Sequence, residues 1–207
     1  MNKNYVWVNP VIMVQYDIEY LKYILSKSGF EIVLPNKNCS DIVKNKYRKK
    51  YLNSDKCIID SRCPKIYEYI DNNDNSYEYA NINPILIETA IELKAQIENN
   101  IIIITPCVAL SNFGNSLNLE GLIFKTWIEF VKENNIILDE NKKRKLNSSP
   151  IPLGFFKGFE KVYSVTGEEN ILKVFKNKLY MNSKILEALY CDNGCHNGDG
   201  IDKKLNL

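Results

Sequence analysis

Four consecutive isoleucines, Ile101–Ile104, restrict the fold of this chain more than any other feature of its sequence. An unbroken β-branched run is typical of a strand buried on both faces, as strands are in parallel sheets. An amphipathic helix is predicted to precede this strand, beginning at Pro84. Its apolar face contains Leu86, Ala90, Leu93 and Ile97. Because parallel strands need long crossover connections, which are usually helical, the run predicts an α/β fold.

The same alternation of helices and short strands extends along the chain. Strands are predicted at residues 5–8, 30–34, 57–60, 101–104 and 161–166, and helices at 17–28, 40–52, 84–97, 119–134, 168–175 and 183–190. A further helix is predicted to begin at Pro64, and the asparagine-rich residues 71–83 are predicted to form a surface loop. We therefore predict mainly parallel short sheets flanked by helices, in a single domain over residues 1–207. Residues 141–152 are the candidate boundary between two lobes.

Composition and charge argue against several classes of protein. The 207 residues are 45% hydrophobic, enough for a sizeable core, and the formal net charge is +2. Nucleic-acid binders carry a concentrated basic face, whereas the basic run at 141–145 stands alone and is interpreted as a solvated loop. No apolar run reaches membrane-spanning length, and the first residues do not resemble a secretory signal. We therefore expect a cytoplasmic protein with neither nucleic acid nor a membrane as partner.

The main candidates for chemistry are six cysteines: Cys39, Cys57, Cys63, Cys107, Cys191 and Cys195. In a cytoplasmic protein they are expected to be ligands or free thiols and not disulfides. Cys63 and Cys107 each follow a predicted strand by three residues and each adjoins a proline. Cys191 and Cys195 lie in a loop rich in glycine and asparagine, within the segment EALYCDNGCHNGDG at 187–200. Because ligands gather at the carboxyl ends of parallel strands, these four thiols are predicted to form one site.

The spacing of the cysteines leaves the nature of this site open. Structural zinc sites prefer two Cys-x-x-Cys pairs, whereas this chain has one close pair of cysteines. A 4Fe–4S cubane is larger and suits thiolates from separate loops, and nearby glycines let backbone N–H groups approach its sulfurs. The remaining reading is that the thiols are buried, unrelated side chains. Cys39 and Cys57 are interpreted as free thiols, Cys57 as a buried one, and His196 as a loop residue that is not a ligand.

The order of the cysteine motifs is similar to that of a known family. Ser-x-Cys-Pro at 61–64, Pro-Cys at 106–107 and Glu-x-x-x-Cys-x-x-Gly-Cys-x-x-Gly-x-Gly at 187–200 together resemble the H-cluster domain of iron-only ([FeFe]) hydrogenases. The resemblance extends over residues 11–200 and implies a compact two-lobed α/β domain with its site between the lobes. It also implies a bound 4Fe–4S cluster, with Cys195 as the thiolate that bridges to a two-iron subcluster. The cofactor-binding and metal-ligating residues implied by the family are Cys63, Cys107, Cys191 and Cys195.

Departures from the family's motifs fall on the residues that serve the two-iron subcluster and its protons. Arg62 occupies the position of a proton-passing cysteine, and an arginine stays charged and makes a poor acid–base relay. Leu110 replaces a lysine that hydrogen-bonds a ligand of the two-iron subcluster, and Phe113 replaces a glutamate of the proton path. Asp199 replaces one of the closing glycines. The resemblance, with these changes, therefore argues against an active hydrogenase and against a two-iron subcluster.

The sequence leaves three candidate functions open. The first is a hydrogenase-like 4Fe–4S protein that senses redox state or transfers electrons to a redox partner protein without turning over hydrogen. The second is a minimal [FeFe] hydrogenase that carries the two-iron subcluster. The third is an interaction domain stabilised by zinc at the same thiols.

Overall fold

The computed structural model describes residues 4–71 and 73–201. Residues 1–3, 72 and 202–207 of the predicted 1–207 domain lie outside the described part. In chain order the described strands are β1 Asn4–Trp7, β2 Phe30–Ile32, β3 Cys57–Ile59, β4 Tyr77–Tyr79, β5 Ile101–Thr105, β6 Leu122–Thr126, β7 Val162–Thr166 and β8 Ile185–Leu189. The α-helices are α1 Pro10–Gln15, α2 Ile18–Lys27, α3 Cys39–Asn53, α4 Ile85–Lys94, α5 Val108–Ser116, α6 Trp127–Glu133 and α7 Glu168–Lys176.

Within residues 4–71 and 73–201, the strands form two four-stranded sheets, and every strand pair is parallel. The first sheet has the order β2-β1-β5-β6, and the second has the order β4-β3-β8-β7. The prediction of an α/β fold with mainly parallel short sheets flanked by helices is confirmed.

The isoleucine run lies at the centre of the first sheet, where β5 pairs with both β1 and β6. Ile104 packs on the face covered by α1, α2 and α6, where Leu21 is also buried. Ile101 and Ile103 pack on the opposite face, against Leu93 of α4. Burial on both faces explains why the run contains no polar residue.

The second sheet contains a strand that was predicted as a helix. Residues 183–190 were expected to be helical, but residues 185–189 form β8, which pairs with β3 and β7. Ile185 packs on the face that also contains Ile58, whereas Leu186 and Ala188 pack on the opposite face. A short apolar run fits a buried helix or a buried strand equally well, so only the presence of two flanking strands decides between them.

Two other predicted boundaries differ from the structure. Residues 119–134 were expected to be one helix, but they form β6 followed by α6. Thr126 ends the strand and begins the helix with a reciprocal capping interaction, in which Glu129 reaches back to the Thr126 backbone N–H. Residues 71–83 were expected to be a loop, but they include β4. Tyr77 of β4 is buried against the rings of Phe175 and Tyr180, and this packing outweighs the polar flanks.

The carboxyl ends of strands from both sheets determine where a site can form. The turns after β3 and β8 of the second sheet and after β5 of the first contribute to the lining of one cavity. Residues 134–161 lead from α6 beside the first sheet to β7 of the second, and the predicted boundary 141–152 lies within them. In the part of the chain that the structure describes, no helix has both the length and the apolarity required to cross a bilayer.

Candidate functional site

The thiols of Cys63, Cys107, Cys191 and Cys195 line one cavity of about 260 Å³. Cys63 follows β3, Cys107 follows β5, and the other two lie in the loop after β8. The structure therefore brings together all four cysteines that were predicted to form one site. Polar side chains on the same lining are Lys65, Glu68, Asn112 and Asp199.

Cys107 is held by the N-terminus of α5. It is the N-cap residue of this helix, and its Sγ accepts the backbone N–H of Leu110 at 3.4 Å. Asp199, in the loop after β8, accepts the backbone N–H of Val108 at 2.9 Å. Asp199 thus joins the loop after β8 to the helix that begins after Cys107.

Cys63 lies at the start of the 3-10 helix Pro64–Tyr69, with Pro64 in its first turn. Burial raises the pKa of the Cys63 thiol, whereas the nearby backbone N–H groups of Tyr190, Lys65 and Ile66 act in the opposite direction because they favour the thiolate. Main-chain donors of this kind orient a sulfur ligand and stabilise negative charge on it.

Glycines allow the loop after β8 to approach the turn after β5. A Cβ at Gly198 would overlap the carbonyl oxygen of Pro106, and one at Gly200 would lie 3.0 Å from the Cα of Cys107. The Gly200 N–H donates to the Pro106 carbonyl at 3.2 Å. Gly194 has a φ of 114°, a backbone conformation that side chains strongly disfavour. The glycine-rich sequence therefore places Cys195 beside Pro106 and Cys107.

Burial controls the charge of the thiols. It raises the pKa of Cys107 to about 12 and that of Cys195 well above its ordinary value, and the neighbouring cysteines add to both shifts. The Arg62 guanidinium acts in the opposite direction on Cys195. Four thiolates cannot share this cavity without a compensating positive charge, and a bound metal cation supplies such a charge.

This burial predicts the reactivity of the metal-free protein toward iodoacetamide. At pH 8, Cys57 and Cys107, both with a pKa of about 12, are expected to alkylate about a thousandfold more slowly in the native protein than in urea. Between pH 8 and pH 10 the native rate should keep rising by about tenfold per pH unit, whereas the unfolded rate levels off near pH 9. Mass spectrometry after timed quenching measures both rates in chelator-treated protein. Equal native and unfolded rates at Cys107 would contradict the prediction.

Arg62 is the centre of a buried charge network beside the cavity. Its Nη2 lies 2.7 Å from Asp60 Oδ2 and 2.8 Å from Glu187 Oε1, and both carboxylate side chains are 0% exposed. The guanidinium also lies over the ring of Phe155, 4.1 Å from its centroid. Burial acts to lower the pKa of Arg62, but Asp60 and Glu187 outweigh it, and the pKa lies above its ordinary value.

The remaining hydrogen-bonding capacity of the two carboxylates is well satisfied. Glu187 accepts the backbone N–H groups of Gly154 and Phe155 and the hydroxyl of Ser164. Asp60 accepts the Tyr47 hydroxyl at 2.8 Å. The sequence predicts neither the ion pair of Arg62 nor the burial of Glu187, which lies within the predicted helix at 183–190. A single carboxylate within the apolar run ILEAL was the available signal of a buried ion pair.

A second cavity of about 500 Å³ shares Pro106 and Cys195 with the first. Its lining is largely apolar, and Leu110 contributes to it. Asn9 lines the same space, and its Nδ2 is buried without a hydrogen-bond partner. Phe113 packs on the cluster that includes Leu110. Neither Leu110 nor Phe113 carries a group that moves protons.

The other sequence candidates lie away from the thiol cavity. Cys39 and Cys57 are buried at the starts of α3 and β3, and neither lines the cavity. His196 lines a different cavity, with Gln15 and residues 143–146. In residues 4–71 and 73–201, no three of the histidine, cysteine, aspartate and glutamate side chains are arranged to hold a single metal ion.

Comparison with known proteins provides no assignment. No protein-family model matches this chain, and a search of curated proteins also gives no match. The function is therefore inferred from the cavity and from the side chains that line it.

Proposed function

We propose that this chain is a hydrogenase-like iron–sulfur protein that holds a 4Fe–4S cluster through Cys63, Cys107, Cys191 and Cys195. Its role is redox sensing or electron transfer with a partner protein, without hydrogen turnover. One observation carries the proposal: four thiols, from three loops at the carboxyl ends of strands in both sheets, line a single cavity. Four cysteine thiolates are the usual donor set of a 4Fe–4S cluster.

The donor set suits a cubane better than a single ion. A cavity of about 260 Å³ is several times the roughly 30 Å³ that one water molecule occupies in the liquid. A cluster, when bound, supplies a one-electron redox couple. The backbone N–H that Leu110 donates to Cys107 would then stabilise negative charge on this ligand and raise the potential of the cluster.

The side chains beside the cavity support a role without hydrogen turnover. Arg62 is fully engaged by Asp60 and Glu187 and its pKa is raised, so it does not exchange protons near neutral pH. Leu110 and Phe113 have no titratable group. The alternative of a minimal [FeFe] hydrogenase is favoured by one feature, the second cavity that Cys195 also lines. That cavity, however, offers no proton relay at the family positions.

Anaerobic purification followed by metal analysis tests the proposal. We expect about four iron and four sulfide per chain, a brown protein whose visible absorption bleaches on reduction, and an EPR signal of a reduced cubane. One zinc per chain at the same thiols, with no bound iron, would overturn the proposal and favour the zinc-stabilised domain. Co-expression with hydrogenase maturation proteins should give neither hydrogen evolution nor infrared bands of diatomic ligands. Both signals together would establish the minimal hydrogenase instead.

A further inference from the structure

The second cavity, which Cys195 shares with the thiol cavity, has the size and the lining of a small-molecule site. Its volume of about 500 Å³ lies within the range of about 300–1,000 Å³ that is typical of such sites. It is also roughly three times the volume of an apolar cavity of about 150 Å³ that binds benzene. The apolar side chains on the lining include those of Trp7, Leu86, Leu110, Leu153 and Phe155. The cavity therefore has room for a body of two or three fused rings.

Asn9 provides a hydrogen-bond donor that the folded chain leaves unused. It is the N-cap residue of α1, and its Oδ1 accepts the backbone N–H of Val11 at 2.9 Å and that of Ile12 at 3.3 Å. These bonds fix the orientation of the amide, because only its oxygen can accept them. Nδ2, at the other end of the amide, is buried without a partner, and Asn9 lines the cavity with 0% of its surface exposed. An acceptor on a ligand at this wall would supply the missing partner.

The other polar side chains of the lining also favour a ligand that accepts hydrogen bonds. Trp7 and Arg62 lie on the lining, and their side chains have hydrogen-bond donors but no acceptor. The described hydrogen bonds of the Arg62 guanidinium use Nε and Nη2. A ligand that matches this lining therefore presents acceptor atoms and not donors.

The charges beside the cavity favour a neutral ligand. Among the described lining residues, Arg62 is the only arginine, lysine, aspartate or glutamate. Its charge is opposed by those of Asp60 and Glu187, and one positive with two negative charges leaves this buried network negative. An anionic ligand would be repelled by that network, and a cationic ligand would find no carboxylate on the lining. In both cases a charge would be buried without a partner, which is strongly unfavourable.

We propose that the second cavity binds a neutral, mostly apolar molecule of two or three rings that carries a carbonyl oxygen, such as a cyclic ketone. The rings pack on the apolar side chains, and the carbonyl oxygen accepts from Asn9 Nδ2. A hydrocarbon of the same shape leaves Nδ2 without a partner, and a carboxylate of the same shape meets the negative network around Arg62. The site therefore selects the carbonyl compound over both.

The wall between the two cavities couples such a ligand to the cluster, a part of the inference that rests on the proposed function. Pro106 and Cys195 line both cavities. A ligand in the second cavity displaces water from beside Cys195, and less polar surroundings disfavour the added negative charge of a reduced cluster. The ligand therefore lowers the midpoint potential of the cluster. By linkage, reduction of the cluster weakens ligand binding by the same factor.

NMR titrations of the anaerobically purified full chain test binding without relying on the cluster. The probes are α-tetralone, the hydrocarbon tetralin and tetralin carboxylate, which share one bicyclic skeleton and differ in their polar group. We expect saturable one-site binding of α-tetralone, about fivefold or more tighter than that of tetralin, because one hydrogen bond distinguishes them. The carboxylate should bind more weakly than the ketone. The absence of saturable ketone binding, or equal or tighter binding of either competitor, would overturn the proposal.

Variants of two capping asparagines test the role of Asn9. Asn9→Ser keeps an oxygen that can cap α1 but removes Nδ2, so the ketone and the hydrocarbon should bind this variant equally. Asn38 caps α3 through the Asp41 N–H and lies outside the cavity lining, so Asn38→Ser should keep the preference for the ketone. Far-ultraviolet circular dichroism establishes that both variants are folded. A preference for the ketone that survives in Asn9→Ser would overturn the proposal.

A second pair of variants locates the ligand, and a potential measurement tests the coupling. Leu153→Trp enlarges a side chain of the lining and should weaken binding of the ketone by about tenfold or more. Leu172→Trp, the same change at an exposed leucine of α7 outside the lining, should leave binding unchanged. Equal affinities of these two variants would place the ligand elsewhere and overturn the proposal.

In redox titrations, saturating α-tetralone should lower the midpoint potential. An unchanged potential with intact binding would overturn the coupling alone, and a chain without a cluster that still binds the ketone would overturn the proposed function alone.

Discussion

Replacing Cys107 by alanine is expected to remove the proposed 4Fe–4S cluster. Cys107 is the N-cap of α5, and it is the only sulfur-containing residue of the lining segment between Pro106 and Asn112. Three thiolates leave one iron of a cubane without its protein ligand, and we expect this cluster to be lost as a result. Iron and sulfide should fall from about four each per chain to near zero, and the EPR signal of the reduced protein should disappear. Metal analysis and EPR on anaerobic samples measure this loss.

The matched control is Cys39→Ala. Cys39 is also a free thiol, but it is buried at the start of α3 and does not line the cavity. This variant should keep its iron, its sulfide and its EPR signal. Far-ultraviolet circular dichroism of both variants establishes that they are folded. If Cys107→Ala keeps the spectrum of the unchanged protein, the assignment of the site is wrong.

Replacing Arg62 by methionine is expected to lower the free energy of unfolding by about 3–5 kcal/mol, because the change leaves two buried carboxylates without their cation. Asp60 and Glu187 are each 0% exposed and both contact the Arg62 guanidinium. Arg62 also links the loop before Cys63 to the strand before Cys191. The same variant should therefore loosen the cavity and reduce cluster loading. Urea denaturation of anaerobic protein measures the change in stability.

A surface control makes the Arg62 experiment specific. Lys65→Met breaks an exposed pair with Glu68 and should cost less than about 1 kcal/mol. A similarly small effect at Arg62 would show that the network is not a stabilising element.

Local sequence patterns were sufficient to predict the central strand and the candidate metal ligands. The isoleucine run predicted a strand buried on both faces, and β5 lies at the centre of a parallel sheet. The positions of Cys63 and Cys107 after predicted strands indicated that they belong at a carboxyl edge, and both line the same cavity. These predictions depend on side-chain periodicity and strand direction, which are short-range properties of the chain.

The tertiary structure decided the features that depend on partners distant in sequence. The run ILEAL at 185–189 is a strand because β3 and β7 flank it, and nothing within five residues distinguishes it from a buried helix. Arg62 and Glu187 are 125 residues apart in the chain, yet they form one buried ion pair. Gln15 and His196 also lie far apart in the chain, yet they line one cavity. Sequence alone indicated the candidate metal ligands and the strand that is central in the first sheet. The folded chain determined which charges, thiols and strands meet, because burial and pairing are properties of segments that lie far apart in sequence.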